Sequence, residues 1–164
     1  MTDIRKMGAL SDMPKLRTCL WFAGNAVEAV QFYVSLLPDS YIESDDPLDP
    51  NRPPVIVNFH LAGVPYQALN GGPIYTHSPA ASISVLTEDQ AETDALWAAL
   101  IADGGEESLC AWCVDRFGLS WQVVPRAVIE TVGGQDPEGA GRATQAMLGM
   151  RKIDIKALEA AYKG

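Results

Sequence analysis

No apolar run in this chain approaches the roughly 18 residues that a membrane span requires. Basic residues are scarce too: 12 Lys and Arg stand against 21 Asp and Glu, a net charge of -9. An acidic chain repels phosphate backbones, so neither nucleic acid nor a membrane is an expected partner. The surplus of acid serves solubility first. Cysteine is sparse and odd in number (Cys19, Cys110, Cys113), which gives no disulfide framework. Met1 to Asp12 mix both charge signs and contain no apolar stretch of the kind a secretory leader carries. The expected compartment is therefore reducing and cytoplasmic. Only two histidines occur, His60 and His77, and no cluster of them exists to hold a metal. Set against these shortages, 48% of the 164 residues are hydrophobic, enough for one domain to bury a core without disulfides or a structural metal.

Periodicity divides the chain. Lys15 to Phe22 reads as a strand that Gly24-Asn25 interrupts. Asn25 is a good N-cap with Glu28 three residues on, as in a capping box. Val27, Val30, Val34 and Leu37 then recur at helical spacing until Pro38. A short strand around Tyr41-Ile42-Glu43 precedes a loop from Asp45 to Pro54. In the next strand Val55, Val57, Phe59 and Leu61 share one face, and Asn58 and His60 the other. Ala62-Gly63 turns the chain into a returning strand, Val64 to Leu69. Tyr75 to Pro79 is a linker. Ala80 to Leu86 is a strand, and Thr87-Glu88-Asp89-Gln90 fits a capping box. The helix that follows has Thr93, Leu96, Trp97, Leu100 and Ile101 on one face and ends at Gly104-Gly105. Glu107 to Val114 is extended, and Leu119 to Val124 is the last strand. Beyond it, Asp136-Pro137 and Asp154 mark helix starts in a tail that packs on the domain or on a partner subunit.

A repeat organises these elements. Gly63-Val64-Pro65-Tyr66-Gln67-Ala68-Leu69 matches Gly118-Leu119-Ser120-Trp121-Gln122-Val123-Val124: glycine, two residues, an aromatic, glutamine, two apolar residues. Each copy closes a set of strand, capped helix and returning strands. Neither half can bury a sheet face alone, so the two must pack together. Pro65, Gln67 and Leu69 share a face by the period of two, as do Ser120, Gln122 and Val124. Two amides at equivalent places are expected either to aim into one cavity or to satisfy nearby backbone groups.

The pattern resembles the vicinal oxygen chelate superfamily of glyoxalases, extradiol dioxygenases and bleomycin-binding proteins. It is most similar to the PhnB-like branch often labelled 3-demethylubiquinone methyltransferase. The resemblance rests on Leu20-Trp21-Phe22, Gly24-Asn25-Ala26, Phe32-Tyr33, Leu69-Asn70-Gly71-Gly72-Pro73, Asp89-Gln90, Gly104-Gly105-Glu106, Cys110-Ala111-Trp112, Asp115-Arg116-Phe117-Gly118 and Ser120-Trp121-Gln122. It covers about Lys15 to Pro125. It implies an α+β fold of two βαβββ modules (15–73 and 80–125) forming cup-shaped sheets, after an extension (1–14) and before a helical tail (126–164). It also implies a homodimer. In metal-using relatives the ligand positions fall on or near Arg17, Gln67, Ala80 and Gln122. A guanidinium, a methyl group and two neutral amides make no divalent-ion site.

Other chemistry is thinly represented. Cys110 and Cys113 form a CxxC, but an extended segment lacks the helix N-terminus that lowers a thiolate pKa, and no second pair exists for zinc. They read as small apolar strand residues. The methyltransferase label implies S-adenosylmethionine, yet no GxGxxG occurs. The expectation is a small, uncharged or weakly polar organic ligand in a pocket without metal or cofactor. Gln67 and Gln122 would hydrogen-bond it, Asn70 and Ser82 would lie near the rim, and Trp21 or Trp112 would stack. The alternatives are an enzyme, either a methyltransferase or a metal-dependent lyase or dioxygenase with unusual ligands, and a drug-sequestering protein.

Overall fold

The computed structural model describes residues 2–9, 11, 13–44, 48 and 53–164. Most of the expected loop from Asp45 to Pro54 lies outside the described residues. The chain divides into two compact units, residues 1–76 and 77–164.

Unit 1 contains β1 (Ile4–Arg5), β2 (Thr18–Phe22), α1 (Ala26–Leu36), β3 (Tyr41–Glu43), β4 (Ile56–Leu61) and β5 (Val64–Asn70). The strand order is β1-β3-β4-β5-β2. β2 runs parallel to β5, and β3, β4 and β5 are antiparallel in turn. The alternation holds from Val57 onward: Val57, Phe59 and Leu61 are buried with Leu20, Phe22 and Ala68, on the face that α1 covers, whereas Val55 precedes the strand and is exposed. The hairpin at Ala62-Gly63 has both residues at positive φ, 46° and 77°, as a two-residue primed turn requires.

The start of α1 corrects the sequence expectation. Asn25 makes no side-chain cap. Asn70, at the far end of β5, accepts from Ala26 N (3.0 Å) and donates to Pro54 O (2.8 Å). The orphan amide is thus satisfied from another strand, which no local pattern announces. The buried stripe of α1 is Ala26, Ala29, Val30, Tyr33 and Val34, turned from the expected Val27-Val30-Val34-Leu37. Small Ala26 and Ala29 let the helix approach the sheet.

Unit 2 contains β6 (Ser82–Thr87), α2 (Gln90–Ile101), β7 (Glu106–Glu107), β8 (Trp112–Val114), β9 (Ser120–Pro125), α3 (Arg126–Val132), α4 (Pro137–Leu148) and α5 (Ile155–Lys163). Its sheet order is β6-β9-β8-β7, with β6 parallel to β9. This is the connectivity of β2-β5-β4-β3: the first strand lies beside the last, with a helix between first and second. The repeat read from glutamine and glycine is therefore a repeat of topology. Thr87 does not cap α2. Its hydroxyl is buried against that of Thr93 (2.7 Å), and Asp89 caps instead, accepting from Glu92 N at 2.9 Å.

Asp115, 2% exposed, organises the turn between β8 and β9. It accepts from Phe117 N (2.8 Å), Leu119 N (3.0 Å) and the Trp121 indole (2.8 Å). The tail packs on unit 2 itself. Ala127, Ala143, Ile153 and Leu158 form a core with Ala111, flanked by Val128, Met147, Ile155 and Tyr162. Gln90 locks it: Nε2 donates to Ile153 O (3.1 Å) and Oε1 accepts from Ile155 N (2.9 Å). Asp136 and Asp154 cap α4 and α5 as expected.

Candidate functional site

Each sheet has a second face that its long helix does not cover. Both repeated glutamines lie there. In unit 1 the strand registers define rows across this face. Glu43, Asn58, Gln67 and Cys19 form one, and Tyr41, His60 and Pro65 the next. Gln67 Nε2 donates to Asn58 Oδ1 at 3.2 Å. Arg17, just before β2, donates to Tyr66 O (3.2 Å) and to both Glu43 carboxylate oxygens (3.1 and 2.7 Å). His60 Nδ1 sits 3.1 Å from Glu43 Oε1. Arg17, Glu43 and His60 are each 10–12% exposed in their side chains. Burial pushes the His60 pKa below its ordinary value, and the Glu43 charge opposes the shift.

Glu43 and His60 were not candidates from sequence. The period of two did place His60 opposite the apolar stripe, but its contact with a glutamate 17 positions earlier depends on the β3–β4 register. Cys19 occupies the row of Gln67, exposed at the surface, with its thiol pKa raised by burial.

In unit 2, Ser84 and Trp112 flank Gln122 in register. Gln122 Nε2 donates to Ser82 Oγ at 2.8 Å. A cavity of about 370 Å³ is lined by their strand neighbours Trp112 and Ser120, with Cys113, Val114, Cys110 and Pro79 among others; Gln122 and Ser82 are not part of its lining. Trp112 is therefore a wall residue. Ala80 corrects the expected equivalence: it lies in a turn two residues before β6. Gln67 pairs with Cys19 and Gln122 with Ser84, so the counterpart of Arg17 is Ser82.

Trp21 and Asn70 prove to be tied to the fold. The Trp21 indole donates to Gly72 O (2.8 Å) and meets Tyr75 edge-on at 5.0 Å. It lies so close over Gly71 that a Cβ there would come within 2.2 Å of the ring. Gly71-Gly72 is thus a seat for an indole, and Asn70 is a helix cap. The CxxC is not extended throughout. Cys110 and Ala111 have φ of 57° and 70° in a turn closed by Trp112 N to Leu109 O, and the strand begins only at Trp112. Burial pushes the Cys113 thiol up to about 12, the reverse of an activated cysteine.

The superfamily implies a divalent metal for many members. The residues at its ligand positions are Arg17, Gln67, Ser82 and Gln122. Arg17 is a cation already paired with Glu43, and the two amides are hydrogen-bonded to neutral partners. Among the described residues no group of three or more His, Cys, Asp and Glu is placed to hold a metal ion. This donor set does not fit one.

Two βαβββ units of one connectivity, each with a glutamine on its uncovered face, define a glyoxalase-like α+β protein. Residues 14–124 match the 3-demethylubiquinone-9 3-methyltransferase family, and the chain belongs to that family, the PhnB-like branch of the vicinal oxygen chelate superfamily. Among solved structures it is similar to a PhnB protein from Bacillus cereus, 29% identical with a TM-score of 0.59, over 68% of this chain and 99% of that one. It shares the fold of protein PA1353 from Pseudomonas aeruginosa, 23% identical with a TM-score of 0.54, over 69% of this chain and 98% of that one. No curated protein matches. No helix among the described residues is long and apolar enough to cross a membrane.

Proposed function

We propose that this chain is a binding protein for a small, uncharged or weakly polar organic molecule, held without metal. The observation that carries this reading is the pair of repeated glutamines. Both stand on faces that the helices leave uncovered, at positions where metal-using relatives carry ligands, and both hydrogen-bond to neutral side chains, Asn58 and Ser82. An amide offers one acceptor and two donors, so each retains capacity for a ligand. In unit 2 the Trp112 ring and the Ser120 hydroxyl add an apolar wall and a further polar group beside a cavity of about 370 Å³, the usual composition of a small-molecule site. We further propose a cytoplasmic homodimer, from the free cysteines and the module pairing that the resemblance implies.

The test is a fluorescence-based screen of neutral aromatic and heterocyclic compounds against the whole chain and Gln122→Leu. Binding quenches tryptophan emission, and Gln122→Leu removes it with little change in unfolding midpoint. Unchanged affinity in that variant would refute the reading. A methyltransferase is the second reading, favoured by the family's description alone. A specific, saturable thermal shift with S-adenosylmethionine would move it to the front.

A further inference from the structure

Unit 1 holds a second cavity, of about 440 Å³, that includes neither repeated glutamine. Arg5, Lys6, Tyr41, Glu43, His60 and Pro65 are among its lining residues. The family match begins at residue 14, so Arg5 and Lys6 come from a segment outside it. That segment is fixed to the sheet: β1 pairs in parallel with β3, Arg5 opposite Glu43. The order β1-β3-β4 sets Tyr41 between Arg5 and His60. The Arg5 guanidinium carbon lies 3.9 Å from the Tyr41 ring centre, and the His60 ring stacks on Tyr41 at 4.6 Å and 15°.

The charges around this cavity have divided roles. Arg17 sits behind Glu43 and neutralises it through two hydrogen bonds. Asp3 takes two hydrogen bonds from Arg5 (3.1 and 2.9 Å) and Asp39 lies 4.0 Å from it. Neither aspartate is part of the lining. A guanidinium has five N–H donors, so three remain on Arg5. His60 Nδ1 is buried and lies 3.1 Å from Glu43 Oε1 with no hydrogen bond between them. A lone pair on Nδ1 would face a carboxylate oxygen, so the proton of the neutral ring sits on Nδ1 and the lone pair on Nε2. The lining therefore offers the remaining Arg5 donors, the Lys6 ammonium, an acceptor on His60 and the Glu43 carboxylate that Arg17 holds.

We propose that this cavity binds a small hydroxycarboxylate, its carboxylate on Arg5 and Lys6 and its hydroxyl donating to His60 Nε2. A plain carboxylate uses only the cations, and a plain diol only the imidazole.

The experiment is NMR on the full chain with nitrogen-15 in histidine, titrated near neutral pH with glycolate, acetate and ethylene glycol. Glycolate should shift the His60 Nε2 and Tyr41 ring resonances saturably, about tenfold more tightly than acetate, the worth of one further hydrogen bond. Ethylene glycol should not saturate. Lys6→Ala, at an exposed site, should weaken glycolate and acetate alike. His60→Ala should erase the advantage of glycolate and leave acetate unchanged. If His60→Ala does not fold, the wild-type probe series and Lys6→Ala decide. Absence of a saturable glycolate shift, equal affinity for glycolate and acetate, or nitrogen shifts showing the proton on Nε2 would each overturn the proposal.

Discussion

Gln122 donates a 2.8 Å hydrogen bond to Ser82, and Ser82 holds in unit 2 the place that Arg17 holds in unit 1. The same backbone register thus carries different chemistry in each unit. In unit 1 the residue just before β2 is a cation, Arg17, which holds Glu43 and through it meets His60. In unit 2 its counterpart brings a hydroxyl, which engages the glutamine directly. Unit 2 is left with a neutral hydrogen-bonded pair, and unit 1 with a largely buried charge cluster.

The seat of Trp21 gives a stability prediction. Gly71→Ala would force a Cβ into the indole. The variant should lose about 1–3 kcal/mol, the usual cost of overpacking, measured by urea denaturation. Trp21→Phe in the same background should recover part of it, because the smaller ring vacates the collision.

Asp115 supports a larger effect. Three donors converge on its buried carboxylate. Asp115→Ala leaves those donors unpaired, and a cost of about 3 kcal/mol or more is expected. Its checks are the unfolding midpoint and the near-ultraviolet circular dichroism of Trp121, which should collapse with the turn.

The thiols should react unequally. Cys19 is exposed and Cys113 buried, with the latter's pKa near 12. In native protein at mildly alkaline pH a thiol reagent should modify Cys19 and leave Cys113 intact until denaturant is added, read by peptide mass spectrometry. The same shift has a stability consequence. A thiol whose folded pKa is raised from 9.0 contributes stability that is complete below 9 and is lost as pH climbs toward 12. Cys113→Ala should flatten the stability curve in that window.

His60 should act at the opposite end. Its folded pKa is lowered from 6.5, so the unfolded chain binds the proton more readily. Stability from this residue is complete above 6.5 and is lost as pH falls below it toward the folded value. His60→Gln should remove that part of the acid-side slope, seen as the difference in melting temperature between variant and parent across a mildly acidic pH series.

Much of the fold was legible. The glutamine–glycine repeat announced two copies of one connectivity, and alternation in β4 assigned its faces. Asp136, Pro137 and Asp154 marked the tail helices because those signals lie within a few residues of what they stabilise. The caps of α1 and α2 were misplaced for physical reasons. Thr87 has the right chemistry for a cap but is drawn into the core by Thr93. Asn25 yields its role to Asn70, 45 positions away in sequence and adjacent only once β5 is formed.

The candidate site divides along the same line. The sequence by itself determined that Gln67 and Gln122 share a strand face with their neighbours at i±2, because the two-residue period of a strand is a local property. Only the tertiary structure decided which partners those faces acquire. Cross-strand registers brought Ser82 to Gln122 and Asn58 to Gln67, and set Glu43 between Arg17 and His60. They also gave the Trp21 indole and the Asn70 amide their backbone partners, Gly72, Ala26 and Pro54. Register is fixed by which faces are buried and by where the turns close, and those are sums over distant residues that no short stretch of sequence contains.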